Sequence, residues 1–393
     1  MTAQTLLTTE EVAILLGVKP ATVYAYVSRG LLTSRRNADG KNSLFTKADV
    51  DAFVAGRKRT ATPGIQTGIT LIKDDKLYFR GRDATVLARS TGFESVASLL
   101  WTGELDDVPF PVDPDLCGLV TDITSRLPKT ARLTDRLRVT VAAAAAADPL
   151  RFDTSPPAVV ATGRQLLAAM VQGLPPRINI IPPGPVSFAE TLWLRITSEK
   201  PSEAGSRLLN AALVLLADHD IAASTLAARV AASTRAHPYA VVSAGLAALD
   251  GPLHGAASGL AYPLLEEAVN GPGPVATISD RLRSGVPVPG FGHPIYQGGD
   301  PRATTLFELL DEGPVKDAAL QLDATMRTRS GTPANVDLAL AALALHHRMP
   351  ADAGEAIFAV ARTAGWLAHA LEEYGDRPSR FRPSGAYAGT QPL

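Results

Sequence analysis

The sequence predicts a mostly α-helical protein: a small N-terminal module followed by a long helical body that opens on one short strand pair. Three observations predict it. From about residue 84 onward, apolar residues recur at helical spacing in runs broken by Pro and Gly, among them "SVASLLWTGEL", "AVVATGRQLLAAMVQG" and "SRLLNAALVLLADH". Residues 1–59 have a different composition, nine Lys/Arg against five Asp/Glu, a local +4 inside a chain of net charge -1. Between the two, "ITLIKDDKLYFRGRD" alternates like two strands turning at Asp74-Asp75.

At 393 residues the chain is too long for one ordinary core, so two or three domains are expected. Apolar residues at 46% and charged residues at 20% fit a globular protein, and the near-zero net charge argues against one that is basic throughout. A single cysteine, Cys117, excludes an internal disulfide and any all-cysteine metal site, and is read as a small buried hydrophobe. The start, "MTAQTLLTTEE", has neither a basic nor an apolar region of a secretory signal. No stretch approaches roughly 20 uninterrupted apolar residues, so a cytosolic protein without a membrane partner is expected. The run "VTVAAAAAADPL" reads as an Ala-rich helix ended by Asp148-Pro149.

Along residues 1–59, Thr8 or Thr9 can cap a first helix whose Val12, Leu15 and Leu16 share a face. Pro20 opens a second helix, with Val23, Tyr24 and Val27 on its apolar side and Gly30 at its end. "SRRNADGKNSLF" reads as a hairpin with Asp39-Gly40 at the tip, and "TKADVDAFVAG" as a third helix. Helix, turn, helix, wing, helix resembles the small DNA-binding domain of mercury-resistance-type regulators and excisionases. The resemblance implies phosphate contacts from Arg35, Arg36, Lys41 and Arg57–Arg59, with Tyr24, Tyr26 and Arg29 as the few candidates for reading bases. "RTATPGIQTG" is then a short polar linker, about residues 60–66.

Four segments of the body carry ionisable residues where helices begin or end, positions that place side chains on cleft walls. They are "ADHDIAAST" with His219, "GPLHG" with His254, "PGFGHPIYQGGDPR" with His293 and Arg302, and "PANVD" with Asp337. Taken singly, His219 can be a helix C-terminal imidazole, His254 a turn residue and Asp337 a first-turn acid behind Asn335. His293, between Gly292 and Pro294, is the hardest to explain as packing. His237, His346, His347 and His369 read as structural. Separations of 35, 39 and 44 residues fit no short two-ligand metal spacing, so no metal is expected.

In this order and spacing, the four segments together resemble the citrate synthase family. Over roughly residues 67–389 the resemblance also takes in "LYFRGRDATVLARSTGFESVASLLWTGEL" and "GWLAHALEE". It implies an all-helical body of two subdomains, a large one of about 67–255 with 349–393 and a small one of about 256–348. The reaction it implies joins acetyl-CoA to oxaloacetate, giving citrate and CoA, with no tightly bound cofactor. Such a reaction needs a base for a weak carbon acid and a donor at the developing enolate oxygen. Asp337 matches the family's base and His254 the neutral imidazole at the thioester oxygen. His293 matches the residue that polarises the oxaloacetate carbonyl. His219 and Arg302 match residues that hold oxaloacetate, whose two carboxylates suit guanidinium forks. Arg382 is the choice for a second arginine, with Arg380 its competitor. Val288, Pro289, Gly290, Phe291 and Gly292 would face the CoA adenine, and the family works as a homodimer.

Several positions depart from the usual bacterial pattern. Ala256, Ala257, Ser258 and Gly259 replace Gly-Ala-Asn-Glu, Pro294 replaces an arginine, Leu338 and Ala339 replace an aromatic pair, and Ala222 an asparagine. No basic residue follows Arg382, where the family has an arginine that reaches the partner subunit. These departures bear on substrate and rate more than on fold. Propionyl-CoA, giving 2-methylcitrate, is an alternative substrate, since one methylene is worth only about 1–3 kcal/mol of discrimination. A DNA-binding regulator whose synthase body senses a metabolite is the alternative from another class.

Overall fold

A computed structural model describes residues 6–16, 18–28, 32–36, 43–47, 49–51, 53, 65–178, 180, 186–381 and 389. The chain forms two compact units, Met1–Gln66 and Thr67–Leu393.

In the first unit, strand β1 (Leu6–Thr8) leads into helix α1 (Thr9–Leu16), followed by α2 (Pro20–Ser28), β2 (Arg35–Arg36) and β3 (Ser43–Thr46). β3 lies between β1 and β2 and pairs antiparallel with both. Thr8 caps α1 in a reciprocal box with Glu11: Glu11 N–H donates to Thr8 Oγ1 (3.3 Å) and Thr8 N–H to Glu11 Oε2 (2.8 Å). Val12, Ala13, Val23, Leu32, Phe45 and Val50 form the core. Two expected core residues are not in it. Leu15 is 56% exposed and Tyr24 is 52% exposed. On helices this short the buried arc is narrow. Ala13 and Leu16 take the inward places on α1, and Tyr26, packed on Phe53 at 5.1 Å between ring centroids, takes the inward aromatic place on α2. The expected hairpin tip at Asp39-Gly40, the helix stop at Gly30, and Arg29, Lys41 and Arg57–Arg59 lie outside the described residues.

The second unit opens with antiparallel β4 (Thr70–Lys73), β5 (Lys76–Phe79) and β6 (Arg82–Asp83), turning at Asp74-Asp75 as expected. Helices follow as far as Gly375. They are α3 (Ala84–Ser90), α4 (Phe93–Thr102), α5 (Pro114–Ser125), α6 (Leu133–Ala147), α7 (Pro156–Gln172), α8 (Phe188–Ile196) and α9 (Glu203–Leu216). Then come α10 (Ala223–Ser233), α11 (Pro238–Leu249), α12 (Ala257–Asn270), α13 (Pro274–Ser284), α14 (Pro301–Leu309), α15 (Pro314–Ser330), α16 (Val336–His346) and α17 (Ala353–Gly375).

The spine is α17, buried on nearly every side from Ala353 to Ala370. A helix apolar all round belongs inside a core, and this one packs against α10, α11 and α7 among others. Its small residues permit close approach: a Cβ on Gly365 would lie 2.4 Å from the Ala217 carbonyl oxygen. That contact sets α17 against the chain leaving α9, where Asp218 and His219 follow. Cys117 corrects an expectation, being half-buried on α5 beside buried Leu116, with its thiol pushed up in pKa by burial.

Candidate active site

His219 lies just past α9, buried, with Nε2 2.8 Å from the Tyr296 hydroxyl. The rings of His219, His293 and Tyr296 form a triangle, with centroids 5.2, 5.5 and 4.8 Å apart. The Arg302 guanidinium stands 5.7 Å from the Tyr296 ring. Burial, followed by the charge of Arg302, lowers the His219 pKa well below the ordinary value.

His293 sits on a loop clasped to the start of α16. Gly290 and Gly292 take φ of 88° and 77°, a left-handed region that favours glycine. The Gly290 carbonyl accepts from Asn335 N–H (2.9 Å) and Gly292 N–H donates to the Pro333 carbonyl (2.8 Å). Asn335 Nδ2 adds a bond to the Gly292 carbonyl (2.9 Å). Asn335 also caps α16, its Oδ1 accepting from Asp337 N–H (3.0 Å), as the sequence led us to expect. One asparagine therefore ties the His293 loop to the turn that carries Asp337. Val288–Gly292, the expected adenine contact, leads into this clasp, with Val288 and Phe291 packed against the core.

His293 Nδ1 accepts from Ile295 N–H (3.2 Å). Burial lowers its pKa to about 4, so the neutral ring carries its proton on Nε2. His254 occupies the turn between α11 and α12. Its Nε2 accepts from Ser224 N–H (3.4 Å) and lies 2.7 Å from Ser224 Oγ. Burial, then Arg362, lowers its pKa to about 4. The neutral tautomer with the proton on Nδ1 follows, leaving that N–H to donate elsewhere. Gly255 is required beside it, because a Cβ there would lie 2.4 Å from Leu249 Cγ and 2.7 Å from the Leu249 carbonyl oxygen.

Asp337 is raised to about 7, chiefly by burial, with Arg302 pulling it down and Asp300 pushing it up. A carboxyl near neutrality at a helix N-terminus means that loss of water outweighs the favourable helix dipole. Asp300 caps α14 and engages Arg302 through Nε (2.9 Å) and Nη2 (2.8 Å). Its Oδ2 also accepts from Val336 N–H (3.0 Å).

The sequence reading missed Arg362. It lies in mid-α17, 1% exposed. Its Nε donates to the Leu216 carbonyl (2.8 Å), while Nη1 and Nη2 have no hydrogen-bond partner among the described residues. The guanidinium lies 4.6 Å from the Phe358 ring centroid, and that ring meets His254 edge-on at 5.7 Å. Burial lowers its pKa to about 10 even beside the charge of Asp218. The available signal was an arginine inside the apolar run "IFAVARTAGWLAH", since a buried cation demands a partner. Arg382 lies outside the described residues. Arg380, its competitor, is already paired with Glu373 and Asp376. Among the described residues, no His, Cys, Asp and Glu side chains form a metal-holding group, and no helix is long and apolar enough to cross a membrane.

Comparison with known proteins gives the family and the fold. The profile "Citrate synthase, C-terminal domain" matches residues 59–384, and a "Helix-turn-helix domain" profile matches residues 6–58. A citrate synthase of Acidithiobacillus ferridurans is 30% identical over 347 residues, covering 80% of this chain and 90% of that one. A 2-methylcitrate synthase of Corynebacterium glutamicum is 29% identical over 351 residues, covering 81% of this chain and 90% of its own. The crystal structure of citrate synthase from Thermotoga maritima superimposes with a TM-score of 0.68 at 26% identity, covering 85% of this chain and 95% of that one.

Proposed function

The chain belongs to the citrate synthase family, and on that footing we propose that it condenses a short acyl-CoA with oxaloacetate, releasing CoA and a tricarboxylate. One observation carries the reading: two buried guanidinium groups, Arg302 and the unpaired Arg362, share a site with three imidazoles held neutral and a carboxyl held near neutrality.

In this reading the Asp337 carboxylate takes a proton from the carbon next to the thioester carbonyl. His254 Nδ1–H donates to the oxygen on which negative charge grows. The new carbon nucleophile attacks the keto carbon of oxaloacetate. His293 Nε2–H polarises that carbonyl and protonates the resulting alkoxide. Arg302, Arg362 and His219 hold the two carboxylates, and Arg362, its Nη groups unpartnered among the described residues, gains most from the pairing. Water then cleaves the thioester and CoA leaves. Neutral imidazoles suit this scheme, because His254 and His293 each keep one N–H to donate while the other ring nitrogen accepts from the protein. The cleft would lie between the segment of about 256–348 and the rest of the body, and the working form would be a homodimer. Product analysis tests the reading: citrate from acetyl-CoA, or 2-methylcitrate from propionyl-CoA, supports it. Neither product, from folded protein with oxaloacetate present, refutes it.

The match of residues 6–58 to a helix-turn-helix domain supports a second role, operator binding, alongside the first. Exposed Tyr24 on α2 is its candidate contact. Salt-dependent, sequence-selective duplex binding is the expected result, and no retention of any duplex at low salt contradicts it.

A further inference from the structure

We propose that Asp75, at the tip of the β4–β5 hairpin, is a positioning residue: its carboxylate holds the loop that carries His293 and Tyr296 and leads into Arg302. The functional consequence rests on the condensation reading above; the contact itself does not.

The hairpin turns through two consecutive aspartates at φ 52° and 56°. Two-residue turns of this hand normally use Asn-Gly or Asp-Gly. A second aspartate in place of glycine accepts a left-handed conformation that a side chain rarely adopts, and the structure shows what that side chain does. Asp75 Oδ1 accepts from Gln297 N–H (3.0 Å) and Oδ2 from Gly298 N–H (2.8 Å). Two successive amides on one carboxylate form a charge-assisted pair. A Cβ on Gly298 would lie 2.9 Å from Asp75 Oδ2, so a side chain there would push the carboxylate off its two amides.

The same peptide is gripped from its other side. Arg327 Nη1 donates to the Gly298 carbonyl (3.2 Å), and Arg327 is itself braced by Asp323 at 2.7 Å. Gly299, at φ 137°, would bring a Cβ to 3.1 Å from Arg327 Nη2. The "QGG" of "GHPIYQGGDPR" is thus a clamp site, a feature that the catalytic reading leaves unexplained. Upstream of it Tyr296 reaches His219, and downstream Asp300 pairs with Arg302. Releasing the clamp frees the segment between these contacts, so oxaloacetate has to order it on binding before His219 and Arg302 can hold the ligand.

The experiment uses the full chain and the variants Asp75→Gly, Asp75→Asn and Gly298→Ala. Glycine at 75 adopts the positive φ without cost, so the turn survives while the carboxylate is lost. Asparagine keeps one acceptor. Amide exchange over 296–299, the melting temperature without ligand, and kcat and KM for oxaloacetate are measured. The proposal expects faster exchange in Asp75→Gly and an oxaloacetate KM raised about tenfold, since binding must then order the freed segment. It expects kcat within about threefold and an unchanged melting temperature. Asp75→Asn should recover part of the KM, and Gly298→Ala should match Asp75→Gly. Unchanged exchange, or an unchanged oxaloacetate KM, in Asp75→Gly overturns it. Absence of turnover in the wild type would count against the condensation reading; exchange alone then decides whether the clamp exists.

Discussion

Replacing Arg362 by Met separates a ligand-binding arginine from a structural one. The guanidinium is buried with both Nη groups unpartnered among the described residues, and its pKa falls from the ordinary arginine value to about 10. At about 1.4 kcal/mol per pH unit, keeping that charge inside the empty protein costs ~3 kcal/mol. Because the folded pKa lies below the unfolded one, this cost is in full force below about pH 10 and fades only as pH rises above it. Methionine removes the charge and keeps the apolar stem. It also loses the bond to the Leu216 carbonyl, worth about 1 kcal/mol, and the contact over Phe358, worth ~1 kcal/mol. The empty variant should therefore be as stable as the wild type or about 1 kcal/mol more so, evenly across pH 6 to 9. Oxaloacetate loses one of its two buried cations, which costs about 2–5 kcal/mol of binding, a KM increase of at least about 30-fold. Urea unfolding and steady-state kinetics on one preparation measure both. An oxaloacetate KM within threefold of the wild type, or a stability loss beyond 3 kcal/mol, would refute the reasoning.

Other outcomes follow from the same site. With Asp337 near pKa 7 and both donor imidazoles near 4, activity should rise about tenfold from pH 6 to 8 as one group deprotonates. A pH–rate profile that falls over that range contradicts the base assignment. The Asp337 pKa is raised on folding, so its stabilising protonated form is lost as pH rises through about 4 to 7. Asp337→Asn should then be up to ~4 kcal/mol more stable than the wild type at pH 8 and no more stable below about pH 4, as denaturant midpoints at the two pH values can show. Ser224→Ala removes the hydroxyl at His254 Nε2; it should lower kcat about tenfold while the oxaloacetate KM holds, and an unchanged kcat excludes a tautomer-setting role for that hydroxyl.

Much of the body was legible because its signals are local. Asp148 ends α6, Asn335 caps α16, and Asp74-Asp75 turns the hairpin, each from chemistry contained in a few residues. His219, His293 and Arg302 stood out as a set only through the resemblance of their segments, in order and spacing, to a known family, and the fold brings them near one another. What stayed hidden depends on distance in the chain. Arg362 looked like one charge in an apolar helix, and only packing against α9 shows it buried and unpaired. Asp75 meets its partners 222 and 223 residues further on. Ser224 is 30 residues from the imidazole it orients. In the small first unit, periodicity misplaced Leu15 and Tyr24 because one turn of helix offers two candidate faces and only tertiary packing chooses between them.

The central claim is that Asp337 removes a proton from an acyl thioester in the presence of oxaloacetate. The most direct measurement is CoA thiol release by the purified chain, with acetyl-CoA and propionyl-CoA side by side, with and without oxaloacetate, for the wild type and Asp337→Asn. The account predicts release that requires oxaloacetate and falls by at least about a thousandfold in the variant, with the ratio of the two rates identifying the preferred acyl group. Release that persists in a folded Asp337→Asn protein, or none from the wild type with either thioester, would contradict it.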